Sequence, residues 1–176
     1  FTIADAKRGD IGNTSKMYAK AFFENLNFDS ITLSPYMGGD SVTEFLDYEE
    51  KYPIILALTS NKGAQDFQLP NNLFVDVIVK SKNWKNSDKI IYVVGATKSD
   101  FLKKIRNIIP DNFLLIPGVG AQGGDVDEVI KSCTTTENKK ILINISRSII
   151  YAGNNENFVI EAVKKVDEFN SSINFK

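Results

Sequence analysis

Short apolar runs alternate with longer amphipathic stretches along the whole chain. The runs cover residues 1–4, 30–33, 54–58, 90–94, 113–116 and 141–145, and each reads as a fully buried strand. Between them, apolar residues recur at helical spacing. Met17, Ala21 and Phe22 share a face within residues 14–25, and Val42, Phe45 and Leu46 share one within 41–50. Val77 and Ile78 lie within 73–82, and Leu102, Ile105 and Ile109 within 99–109. The last two faces are Val126, Val129 and Ile130 within 125–132, and Val159, Val163 and Val166 within 157–169. Pro53, Pro110 and Pro117 punctuate the boundaries. The connection from residue 58 to 73 is long, polar and glycine-containing, which suits an active-site loop.

Repeated strand–helix units build a parallel sheet, either open and doubly wound or closed into a barrel. A closed eightfold barrel takes ~250 residues. Six units are visible, so a strand at residue 1 fits a (β/α)8 barrel entered at its third strand, with this chain covering strands 3 to 8. The periodicity also fits an open sheet. The expectation is one domain over residues 1–176, the downstream part of a longer protein.

Composition removes several functional classes. The chain is 43% hydrophobic and 24% charged with a net charge of -1, enough apolar content for a core. Balanced charge argues against a general nucleic-acid binder or a basic membrane-surface protein. No apolar run approaches the roughly 18 residues of a membrane helix. A single cysteine, Cys133, cannot form an internal disulfide, which fits a reducing, cytoplasmic setting. The chain has no histidine, so Ser-His-Asp triads and His-ligated metals are excluded within it. Chemistry falls to carboxylates, lysines, arginines, hydroxyls and backbone amides.

Two constellations could carry it. The first strand runs into Asp5-Ala6-Lys7-Arg8-Gly9-Asp10. Side chains alternate across a strand, so Asp5 and Lys7 share a face at its C-terminal end, where α/β proteins place catalytic groups. The same pattern also fits a surface salt bridge followed by a glycine turn. The second is Pro117-Gly118-Val119-Gly120-Ala121-Gln122-Gly123-Gly124, followed one strand later by Ser146-Arg147. Glycines let backbone N–H groups approach an anion, and Arg147 offers a two-pronged hydrogen-bonding fork. Arginine is scarce here, three against eighteen lysines, so its place after a strand is selective. Gly118, Gly120 and Gly123 also spell a dinucleotide fingerprint, but the acidic residue expected about 20 positions later is absent from residues 139–148. A glycine-rich turn without a ligand fits too.

Taken together, these residues resemble orotidine 5'-phosphate decarboxylase. Asp5, Lys7 and Asp10 match its D-x-K-x-x-D signature, and Ile11-Gly12-Asn13-Thr14 extends the match toward the bacterial type 2 subfamily. Ser34-Pro35-Tyr36-Met37-Gly38, Leu58-Thr59-Ser60-Asn61-Lys62-Gly63, Tyr92-Val93-Val94-Gly95-Ala96-Thr97 and the glycine loop follow in family order.

The resemblance implies a homodimeric (β/α)8 barrel that converts orotidine 5'-phosphate to uridine 5'-phosphate without a cofactor. It places Asp5 and Lys7 beside the C6 carboxylate, and sends Asp10, Ile11 and Thr14 toward the partner subunit's site. Ser60 corresponds to a pyrimidine contact. Pro117, Gln122 and Arg147 correspond to substrate contacts, Gln122 and Arg147 at the phosphate. Gly118, Gly120 and Gly123 form the phosphate loop, and Ser146 offers its backbone. The family's first catalytic lysine lies on the second strand, outside these residues. Two alternatives share the motifs: an Mg2+-dependent sugar-phosphate decarboxylase or aldolase of the same suprafamily, and a non-catalytic phosphate-binding fragment.

Overall fold

Among the described residues six strands pair in sequence order, every pair parallel. They are β1 (Ile3–Arg8), β2 (Ser30–Leu33), β3 (Tyr52–Leu58), β4 (Ile91–Val94), β5 (Leu114–Pro117) and β6 (Ile141–Asn144). The structure is a computed structural model that describes residues 1–119, 125–134 and 138–173. Strand order never reverses, as it would at the switch point of a doubly wound sheet.

The two faces of the sheet bury different things. On the outer face Ile31, Leu33, Ile55, Tyr92, Val94, Leu114 and Ile116 join helix residues in one large core. On the inner face Ile54, Ile91, Val93 and Leu115 form a smaller cluster with Ile3, Leu56 and Leu142. Helices on one face and side-chain layers on the other are the wall of a (β/α) barrel. Among the described residues β1 and β6 are the two edges and do not pair with each other.

The helices are α1 (Gly12–Lys20), α2 (Thr43–Leu46), α3 (Ala64–Phe67), α4 (Leu73–Ser81), α5 (Ser99–Ile108), α6 (Val126–Cys133), α7 (Arg147–Ile150) and α8 (Phe158–Ile173). Asp125 caps α6, accepting from the backbone N–H groups of Asp127 and Glu128. No described helix is long and apolar enough to cross a membrane.

Three expectations need correction. The first strand starts at Ile3 and runs to Arg8, while Phe1 stays 70% exposed at the sheet edge. The buried side of α1 is Ser15 and Ala19, continued by Phe23, rather than Met17. Small residues let this helix sit close to the turn before α2, where the Ser15 hydroxyl donates to the Ser41 carbonyl at 3.3 Å. A π-helical turn over Ala21–Asn25 then rotates the following side chains. On α8, Val159, Val163 and Val166 are exposed rather than buried. This helix follows edge strand β6 and finds α6 and α7 as neighbours, with no further strand among the described residues to cover its apolar side.

Arg106 holds the N-terminal ends of β5 and β6 in place. It is 6% exposed, and its guanidinium donates to five backbone carbonyls: Ile109, Pro110, Asn112, Cys133 and Lys140. A planar five-donor fork suits this task, and no ammonium could reach all five. Beside it, burial pushes the Cys133 thiol up to about 12, so this cysteine is an inert core residue. Replacing Arg106 with Met removes one donor from each of those carbonyls, only some of which keep another, and stability should fall by roughly 3 kcal/mol or more. Urea unfolding checks this: an unchanged midpoint would show that the arginine is dispensable.

Candidate active site

All six strands point their C-terminal ends to one rim, and the chemistry collects there. A cavity of about 980 Å³ opens on the inner face of the sheet. Its apolar floor is Ile3, Leu56, Val93, Leu115 and Leu142, and its rim carries Asp5, Lys7, Thr32, Ser60, Asn61 and Asn144.

Asp5 and Lys7 share a face, as alternation requires, and join directly. Lys7 Nζ donates to Asp5 Oδ1 at 2.5 Å, with both side chains about half exposed. The pair sits at the cavity mouth rather than in the buried layer beneath. Thr32 of β2 donates its hydroxyl to the same Asp5 oxygen at 3.0 Å. Partial burial pushes the Asp5 pKa up, but the hydrogen bonds from Lys7 and Thr32 and the Lys7 charge outweigh it. The carboxyl therefore ends below its usual value of 3.8. An ammonium fixed by a carboxylate at the edge of an apolar cavity can stabilise negative charge developing on a bound molecule.

Ser60 follows β3 and lines the cavity. Its position is set by β4. Gly95 N–H donates to the Leu58 carbonyl at 2.8 Å, and the Thr97 hydroxyl donates to the Ser60 carbonyl at 3.1 Å. A Cβ on Gly95 would lie 2.5 Å from Ser60 Cα, so only glycine lets the two strand ends meet. The long loop that follows is pinned at its base. Gln68 accepts from the Thr59 N–H at 2.7 Å and donates to the Thr59 hydroxyl at 2.9 Å.

Of the remaining described candidates, all but Pro117 fall outside the cavity wall. Asp10 accepts from the Ile11 N–H at 2.8 Å and does not bond Lys7; Ile11 and Thr14 face solvent at the start of α1. Pro117 lines the cavity, and Gly118 takes a φ of +92°, the left-handed region that a glycine turn uses. Gly120, Gln122 and Gly123 lie outside the described residues. Ser146 and Arg147 are exposed where β6 gives way to α7. Thr32 and Asn144 were not singled out from the sequence. Thr32 stands between Ile31 and Leu33, and Asn144 ends the otherwise apolar β6, a signal that could have found them.

An acid–amine pair near the end of β1, a left-handed glycine after β5 and an arginine after β6 lie at the C-terminal ends of parallel strands, where (β/α) barrels place their sites. Residues 1–162 match the model of the "Orotidine 5'-phosphate decarboxylase / HUMPS family". The chain is 60% identical over 171 residues to the orotidine 5'-phosphate decarboxylase of Christiangramia forsetii, covering 95% of this chain and 62% of that protein. It is 53% identical to the Bacteroides fragilis protein of the same name, covering 96% of this chain and 64% of that one. The fold superposes on the OMP decarboxylase of Leishmania donovani with a TM-score of 0.82 at 32% identity, covering 97% of this chain and 68% of that one. It also superposes on the Methanocaldococcus jannaschii enzyme in complex with inhibitor BMP, with a TM-score of 0.75 at 28% identity and 95% and 72% coverage. The chain belongs to the orotidine 5'-phosphate decarboxylase / HUMPS family. It spans about three fifths of the length of the curated relatives it matches.

Substituting Gly95 with Ala should push the Ser60 loop away from the cavity and cost about 1–3 kcal/mol in thermal or urea unfolding. Wild-type stability in this variant would mean that the close approach of the two strand ends is unimportant.

Proposed function

We propose that this chain forms strands 3 to 8 of an orotidine 5'-phosphate decarboxylase barrel, completed by two further strand–helix units. The observation that carries this reading is the Asp5–Lys7 ion pair at the mouth of an apolar cavity, on the matching signature. The names of the relatives support it.

The chemistry follows from charge. The bond between C6 of the pyrimidine and its carboxylate breaks, carbon dioxide leaves, and the electron pair stays on C6. With no electron sink in this reading, a preorganised ammonium in a water-poor cavity stabilises that carbanion. Lys7 supplies it, then donates a proton to C6 and regains one from solvent. Asp5 lies against the departing carboxylate and holds the Lys7 ammonium in place. Ser60 contacts the pyrimidine.

The phosphate end is remote from C6. Arg147 and Gln122 hold it, with Pro117, the backbone of Ser146 and the turn of Gly118, Gly120 and Gly123. Binding energy gained there is available to offset distortion at the reacting centre. Asp10, Ile11 and Thr14 serve a second copy of the chain in a homodimer. The exposure of the large apolar residues Ile11, Tyr36 and Met37 supports such a contact.

The test follows the fall in ultraviolet absorbance as orotidine 5'-phosphate is consumed by the completed barrel. Lys7→Ala should lower turnover by at least ~10³ with the fold retained, as expected for a principal electrostatic group. Near-normal turnover would reject the assignment. Arg147→Ala should weaken a phosphorylated substrate and leave the phosphate-free nucleoside almost unaffected; equal losses on both would count against its phosphate role.

A further inference from the structure

The first two strands do not pair continuously. Ala4 lies opposite Ile31, and the next partners are Arg8 and Leu33. Four steps along β1 therefore answer two steps along β2, and the surplus residues bulge between them. The bulge contains Asp5 and Lys7. Lys7 takes a φ of +48°, a left-handed conformation that side chains disfavour.

Thr32 stands opposite this bulge. Its hydroxyl accepts from the Lys7 backbone N–H at 2.9 Å, where a regular ladder would supply a carbonyl. It donates to Asp5 Oδ1 at 3.0 Å, while the Ala4 carbonyl lies further off at 3.5 Å. A hydroxyl has one proton to give and lone pairs to receive, so both bonds form at once. Thr32 is 2% exposed and β-branched, which fixes its rotamer. One buried hydroxyl thus ties the backbone of the ammonium-bearing residue to the side chain of the carboxylate.

We infer that Thr32 is a positioning residue that sets the Asp5–Lys7 pair for catalysis by satisfying the bulge of β1. It does not touch substrate in this account and acts through its two neighbours. A valine would keep the volume and strand preference of Thr32 but leave the Lys7 N–H without its acceptor and Asp5 without one donor. A serine would restore both bonds with a looser rotamer. The consequence for turnover rests on the decarboxylase reading; the consequence for Asp5 does not.

The experiment compares Thr32, Thr32→Val and Thr32→Ser in two measurements. The first is the Asp5 carboxyl pKa by carbon NMR in this chain, where Lys7 is the charged group acting on it. The second is decarboxylation by the completed barrel. Thr32→Val should keep the fold and raise the Asp5 pKa toward its usual value. It should lower kcat by roughly 10- to 100-fold with little change in KM, the cost of a small misplacement of catalytic groups. Thr32→Ser should recover most of both. A folded Thr32→Val chain with an unshifted Asp5 pKa and unchanged kcat would overturn the inference. If the unmodified barrel consumes no orotidine 5'-phosphate, the decarboxylase reading fails, and the NMR series still decides whether Thr32 positions Asp5.

Discussion

Parallel pairing between β1 and β2 holds at Ala4 and Ile31, lapses, and resumes at Arg8 and Leu33, where the Ser34 N–H donates to the Arg8 carbonyl. Everything proposed for this chain passes through that lapse. A continuous ladder would have spent the backbone of Asp5, Ala6 and Lys7 on strand pairing. The bulge instead lifts a carboxylate and an ammonium to the cavity mouth and lets them meet. Its cost is a left-handed lysine, and the structure around it offsets that cost with the Thr32 hydroxyl and the ion pair itself.

The rest of the barrel wall makes such a bulge tolerable. Apolar side chains grip every strand on its outer face, and all but β2 on the inner face as well. At the opposite end of the sheet Arg106 gathers five carbonyls near the starts of β5 and β6, so the strand origins are fixed while their ends carry function. The Gly95–Ser60 approach and the Thr59–Gln68 clasp do for the third strand end what Thr32 does for the first. Stability and chemistry are thereby separated along the strand axis.

Much of this was legible in the residues. The run at Ser30–Leu33 is a strand over those same residues, and Leu102, Ile105 and Ile109 are buried as their spacing indicates. Parity alone put Asp5 and Lys7 on one face. What escaped were features that depend on neighbours. Met17 reads as core, yet α1 packs closely through Ser15 and Ala19 and leaves Met17 exposed. Val159 and Val163 read as core, yet the sheet ends at β6 and leaves them uncovered. The bulge and the role of Thr32 follow from the pairing of two strands more than twenty residues apart, which no local pattern encodes.

The central claim is that the ammonium of Lys7, held by Asp5, faces the carbon that becomes negative. A crystal structure of the completed barrel with a uridine 5'-phosphate analogue carrying an anionic group at C6 tests it directly. Lys7 Nζ should lie within hydrogen-bonding distance of that group and remain paired with Asp5. An amine turned to bulk solvent, with the pyrimidine bound elsewhere, would contradict it.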